Sequence, residues 1–228
     1  MSAQHGILPA LPSLSPAPFV GAAGRFAPTA LYDPVMALTM REGAWRSKLV
    51  AQVAEDAPEH VVEIGCGTGS VTRRLVAAVP DARVTASDID PDILSRAARK
   101  SADLDIEWLL APATGLPIAD DTADAVVCSL VLHHLDPEPK AAALAEARRV
   151  LKPGGRLHVA DWGMPRDPVE GLAFTGLRLL DGWGRTRQHA TGALPALLRG
   201  AGFDGVVTHH RFRTAWGALE LLSAEAPQ

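Results

Sequence analysis

Three glycines within five residues, Gly65, Gly67 and Gly69, follow directly on the apolar run Val61-Val62-Glu63-Ile64 and lead into Ser70. Glycine has no Cβ and adopts positive φ readily, so such a loop lets backbone N–H groups approach a ligand closely. Cys66 and Thr68 fill the loop, where backbone contact is their expected role, and Glu63 places a carboxylate just before it. Asp88 closes the run Val84-Thr85-Ala86-Ser87, 19 residues after Gly69, with Ile89 behind it. A carboxylate there can accept two hydrogen bonds from a ribose diol. His133 and His134 follow an apolar run that ends at Leu130, and Asp161 and Trp162 end another. An imidazole there could take a proton from a reacting group or contact a substrate, with His134 the preferred of the two.

Each choice has a structural alternative. A G-x-G-x-G turn also serves dinucleotides, phosphates or plain tight packing. The dinucleotide fingerprint puts its third glycine three residues after the second, whereas Gly69 comes two after Gly67, which turns the reading away from a nicotinamide dehydrogenase. Glu63 could cap local amides, Asp88 could be a turn acid, and either histidine could be bonded only to backbone. Cys66 and Cys128 read as small buried residues.

The chemistry-bearing residues need elements to hold them. Short valine-rich runs alternate with longer Ala, Arg and Leu segments, the mark of βαβ units. Strands are expected at residues 60–64, 83–87, 105–110, 125–130 and 156–160, with helices at 70–79, 92–100 and 138–151. Pro91 and Pro137 suit helix starts, and Pro153-Gly154-Gly155 suits a helix stop. The first and fourth strands are apolar on both faces, as central parallel strands must be. An irregular stretch to about Gly192 follows, containing Asp181, Trp183, Arg185 and His189 and read as a solvated loop. Then come a helix at 194–199 and strands at 203–208 and 211–218. The expected fold is a doubly wound, mostly parallel seven-stranded α/β sheet with a helical cover before it.

Composition narrows the classes. The chain has 228 residues, 22 Lys+Arg against 26 Asp+Glu and a net charge of -4. A nucleic-acid binder would be expected to carry a clustered basic excess, so none is expected as a partner. Two cysteines 62 residues apart suit neither a disulfide framework nor paired metal ligands, so a cytoplasmic setting and no metal are expected. The first 24 residues lack Asp, Glu, Lys and Arg but hold four prolines, which fits neither a signal peptide nor a membrane span. Residues 1–28 read as a flexible proline-rich arm, 29–57 as a helical cover, and 58–228 as one domain. Within that domain 58–162 form the cofactor-binding half, and 163–228 a substrate-side insert with the last strands.

At these blocks the sequence resembles the class I S-adenosylmethionine-dependent methyltransferases of small-molecule type. Glu63 to Gly69 is similar to the family's cofactor loop and Asp88 to its ribose acid. Leu116-Pro117-Ile118 with Asp124-Ala125-Val126 resembles the run into its fourth strand, and Glu146 to Gly155 the run into its fifth. The resemblance spans roughly residues 58–162. It implies a Rossmann-like fold, S-adenosyl-L-methionine as cofactor, and transfer of a methyl group to an O, N or C nucleophile of a small molecule. It also implies that Glu63, Gly65, Cys66, Gly67, Thr68, Gly69, Asp88, Ile89, Ala113 and Leu130 hold the cofactor. The family often has an acid where Pro112-Ala113 stands here, so adenine would rely on backbone near Ala113. Tyr32, Asp161, Trp162 and Asp181 are the candidate substrate contacts, and a homodimer is left open. The competing readings are a non-catalytic nucleoside binder and a methyltransferase acting on RNA or protein.

Overall fold

The computed structural model describes residues 40–228. Helix α1 (Glu42–Glu55) precedes β1 (His60–Ile64), α2 (Thr72–Ala78), β2 (Arg83–Asp88), α3 (Pro91–Lys100), β3 (Glu107–Leu110) and β4 (Ala123–Ser129). A 3-10 turn (Leu132–His134), α4 (Pro137–Val150) and β5 (Leu151–Trp162) follow. Helices α5 (Pro168–Asp181), α6 (Trp183–Ala190) and α7 (Leu194–Gly200) then lead to β6 (Asp204–Thr214) and β7 (Gly217–Glu225).

The sheet runs β3-β2-β1-β4-β5-β7-β6, with β1 to β5 parallel and β7 antiparallel to both its neighbours. Strand order reverses between β1 and β4, which opens a crevice at their carboxyl ends. Every residue of β1 is buried, as its apolar sequence requires of a central strand. Helix α1 turns Trp45, Leu49 and Val53, spaced four apart, into a core shared with Val61, Val127 and Trp162. Trp45 therefore belongs to the packing. Asp90 caps α3 by accepting from the N–H groups of Asp92 and Ile93, with Pro91 at the first helical position.

Four expectations need correction. The segment after Asp161 is not irregular: it forms α5 and α6. Asp167 accepts from Glu170 N at 2.9 Å and Pro168 starts the helix, a capping signature present in the sequence. Pro153-Gly154-Gly155 does not stop a helix, since α4 already ends at Val150. These residues lie in a bulged start of β5, where Gly154 N donates to Ala226 O and Ala226 N to Gly155 O. Residues 204–214 form one strand where a break was expected near 209. The final strand starts at Gly217 and runs to Glu225, because eight of its nine residues are buried between β5 and β6.

Candidate active site

At the end of β1 the chain turns through Gly65, Gly67 and Gly69, with φ of +69°, +55° and +74°. At Gly65 a second constraint applies: a Cβ would stand 2.3 Å from Val131 Cγ2. At Gly67 a Cβ would meet nothing within 4 Å, so the loop presents its backbone to open space. Cys66 N donates to Ser87 O, and Gly67 N donates to Asp88 Oδ2 at 2.8 Å, which binds the loop to the end of β2. Asp88 Oδ1 accepts from Asp90 N at 3.0 Å, and each carboxylate oxygen keeps a second lone pair for a ligand. Burial raises the Asp88 carboxyl above its ordinary value, outweighing the N–H groups of Asp90 and Gly67.

Glu63 lies buried beneath this loop. Its Oε2 accepts from the Thr72 hydroxyl at 2.5 Å, while Oε1 has no hydrogen-bond partner among the described residues. Burial pushes its carboxyl up to about 8 against the Thr72 hydrogen bond and the charge of Arg46. A carboxylate with one orphaned oxygen, a loop open to approach and a ribose-type acid together fit a nucleoside carrying a cationic group. Thr68 sits half-buried in the loop, Ile89 is 43% exposed beside Asp88, and Ala113 is half-buried just beyond β3. Leu130 adopts φ +56°, unusual for a branched residue, and donates its N–H to Ala160 O at 2.8 Å. Its strain fixes the direction of the turn that follows.

That turn carries His133 and His134, rings 4.0 Å apart. His133 Nδ1 lies 2.8 Å from Asp161 Oδ1, which also accepts from Trp162 N at 2.7 Å. Burial would raise Asp161, but the imidazoles of His133 and His189 and these two hydrogen bonds hold it well below the usual carboxylate range. The hydrogen bond to Asp161 engages His133 Nδ1 as donor and turns Nε2 toward Asp181. Across from the turn, Asp181 at the end of α5 lies 3.7 Å from His133 Nε2 and 3.6 Å from His134 Nδ1. Burial and the neighbouring His133 push His134 down to about 3, so it is neutral at physiological pH. His189 is fully buried, with Nδ1 at 2.9 Å from Trp162 O and Nε2 without a partner among the described residues. Buried Lys140 donates to Arg185 O at 2.9 Å, tying α4 to α6.

The structure thus gathers the predicted loop residues with Asp88, and His133 and His134 with Asp181. It places Asp161 and Trp162, both buried, behind His133 instead of on the crevice wall. Asp181 and His189, expected in a solvated loop, are brought inward by α5 and α6. Tyr32 lies outside the described residues. A shallow recess of about 350 Å³ at the opposite edge of the sheet is lined by Asp56, Asp124, Lys152 and Arg156. These pair with one another, Lys152 with Asp124 and Arg156 with Asp56, and it is not the site.

A glycine loop and ribose-type acid at the switch point of a doubly wound sheet define a Rossmann-like nucleotide-binding domain. A family model described as a methyltransferase domain matches residues 61–155. A malonyl-[acyl-carrier protein] O-methyltransferase of Hahella chejuensis is 35% identical over 131 residues, 58% of this chain and 45% of its own. A ubiquinone/menaquinone biosynthesis C-methyltransferase UbiE of Desulfotalea psychrophila is 33% identical over 147 residues, 64% of this chain and 57% of its own. The chain spans about half the length of the curated relatives it matches. Among structures, the N-methyltransferase NodS of Bradyrhizobium japonicum, determined with S-adenosyl-L-homocysteine, superposes with a TM-score of 0.63 at 20% identity, over 82% of this chain and 88% of that one. The [4+2]-cyclase SpnF superposes with a TM-score of 0.59 at 22% identity, over 79% and 81%. At such identities the likeness speaks for the fold alone, and a cyclase sharing it makes the point. Residues 61–155 are thus similar to a methyltransferase domain, carried on a Rossmann-like sheet.

Proposed function

We propose that the chain transfers the methyl group of S-adenosyl-L-methionine to an O, N or C nucleophile of a small molecule. The observation that carries this reading is the Gly65 to Gly69 loop pinned to Asp88 above the orphaned carboxylate oxygen of Glu63. In this reading Asp88 takes the ribose diol, the loop amides the body of the cofactor, and Glu63 a cationic group. Ile89, Ala113 and Leu130 supply apolar and backbone contact around it. The bound cofactor supplies a methyl already activated on a sulfonium, so the protein has mainly to position the acceptor.

His133 and His134 stand at the same edge of the sheet, next to the loop through the Gly65 and Val131 contact. His133, its Nδ1 proton held by Asp161, presents Nε2 to the acceptor as hydrogen-bond acceptor and base. Neutral His134, the more exposed of the two, orients the acceptor. The net charge of -4 supports a small acceptor over RNA. Among the described residues no helix is long and apolar enough to cross a membrane. Buried, unpaired Cys66 and Cys128 support a reducing, cytoplasmic setting. Whether the chain forms a homodimer is read directly by sedimentation.

Labelled S-adenosyl-L-methionine incubated with the protein and a metabolite extract tests the reading. Label appearing in a small-molecule fraction supports it. Tight binding of S-adenosyl-L-homocysteine with no label in any fraction favours the non-catalytic binder, and label in RNA or protein favours a macromolecular acceptor.

A further inference from the structure

We infer that His133, His134 and Asp181 form a binding site for one divalent transition-metal ion at the acceptor side of the crevice. The three side chains each offer one ligand atom, and these atoms lie within 4.8 Å of one another. Asp181 is 3.7 Å from His133 Nε2 and 3.6 Å from His134 Nδ1. Those separations are too long for hydrogen bonds. They are close to the edge of a coordination tetrahedron, about 3.3 Å when metal–ligand bonds are about 2.0–2.1 Å. A shift of a few tenths of an ångström on each edge to Asp181, with the two imidazoles drawing together, would bring the set onto one ion.

The surroundings are built as a metal site's are. A metal-bound imidazole normally gives its other N–H to a carboxylate or carbonyl, which fixes its tautomer. His133 does so at 2.8 Å to Asp161, and Asp161 is itself fully buried and held by Trp162 N. Behind it His189 lies with Nδ1 at 3.8 Å from Asp161 Oδ1. The histidines sit on a short turn fixed by strained Leu130, and Asp181 on the end of a capped helix, so the donors come from rigid elements. The His134 side chain is 34% exposed, which leaves the site an open face. Two imidazoles and one carboxylate suit Zn2+, Fe2+, Co2+ or Ni2+ rather than Mg2+ or Ca2+, which prefer all-oxygen shells. Three protein ligands leave a position for an exogenous donor, as in catalytic sites. The role of that position rests on the proposed methyl transfer: with the ion bound, His133 Nε2 is a ligand and the ion replaces it as the activating group, so that an acceptor hydroxyl bound there would ionise more readily. The binding of the ion does not rest on that reading.

The full chain, stripped of metal by chelator and dialysed, is titrated with Co2+ and with Zn2+, read by the visible absorption of bound Co2+ and by calorimetry. One equivalent per chain is expected for the wild type. His134→Gln and Asp181→Asn should each weaken binding more than 10-fold, and Asp161→Asn about 10- to 100-fold through the orientation of His133. His210→Ala, on β6, should bind as wild type. Circular dichroism and S-adenosyl-L-homocysteine affinity on the same samples separate loss of the site from loss of the fold. The proposal is overturned if the wild type binds neither ion, or if folded His134→Gln and Asp181→Asn bind as it does. Metal binding without methyl transfer to any acceptor would leave the site standing and count against the proposed activity alone; transfer undiminished in metal-free protein would remove the ion's role in it.

Discussion

His133 Nδ1 and Asp161 Oδ1 lie 2.8 Å apart in a part of the protein from which water is excluded, although 28 residues separate them in sequence. The pair joins the turn after β4 to the end of β5, and it sets which nitrogen of His133 faces the crevice. Asp161→Asn keeps the shape but loses the charge that holds the tautomer. Turnover should fall about 100-fold or more, within the range for general acid–base groups, with S-adenosyl-L-homocysteine affinity unchanged. A fall in both together would assign Asp161 to folding alone.

Asp88→Ala removes charged hydrogen bonds to a ribose and should weaken S-adenosyl-L-homocysteine binding by about 1–3 kcal/mol. Calorimetry reads this directly. Because Asp88 also holds Gly67 N, Asp88→Asn, which keeps an acceptor oxygen, should recover part of the loss.

Glu63 makes stability depend on pH in a defined sense. Its folded value of about 8 stands above its ordinary 4.5, so between these limits the folded chain holds a proton that the unfolded chain does not. The stability this lends is complete below pH 4.5 and is lost as pH rises to about 8. Glu63→Gln is neutral throughout, so its Tm should fall less than the wild type's between pH 6 and 9. Parallel curves for the two proteins would mean that Glu63 is ionised at neutral pH, with a partner for its free oxygen.

Gly65→Ala and Gly67→Ala should part company. Both force a side chain into left-handed backbone, at about 1–2 kcal/mol. Only the first meets Val131, at 2.3 Å. Gly65→Ala should therefore lower Tm more than Gly67→Ala, and Val131→Ala should restore part of that difference in the double variant. Gly67→Ala should act mainly on cofactor affinity, because its Cβ enters the open face of the loop.

Arg211 on β6 bonds Glu170 of α5 and Glu220 of β7, both at 2.5 Å, and also donates to Met164 O. Arg211→Ala leaves buried Glu170 without its cation and Glu220 with Arg166 alone, at 3.8 Å, and removing one partner of a buried pair typically costs about 3–5 kcal/mol. Urea unfolding should show it, with Glu170→Gln in the same chain returning part of the loss.

The cofactor half of the crevice could be read from residue order, because its contacts are local: a strand, three glycines and the acid ending the next strand. His133 and His134 could be placed at the same edge for the same reason. Asp181 could not be placed, because its meeting with the histidines depends on α5, whose outer face exposes Val169, Leu172, Leu179 and Leu180 and so blurs the usual alternation of apolar and polar. Asp167-Pro168 was the available signal for that helix. The last hairpin is not legible in the sequence because Ala215-Trp216 is an apolar turn, whereas the polar run Thr208-His209-His210 continues as strand at the sheet edge, where water can satisfy it.

Strand β6 touches the sheet only through β7, which is made after it and inserts between it and β5. The sheet therefore cannot gain its sixth member before its seventh. A chain cut directly after Thr214 would lack β7 and leave β6 without its partner in the sheet, together with the anchorage of α5 through Arg211. The histidines would be in place in such a fragment, but Asp181 would not be held opposite them. Completion of the acceptor side is thus timed by the strand that comes latest in sequence.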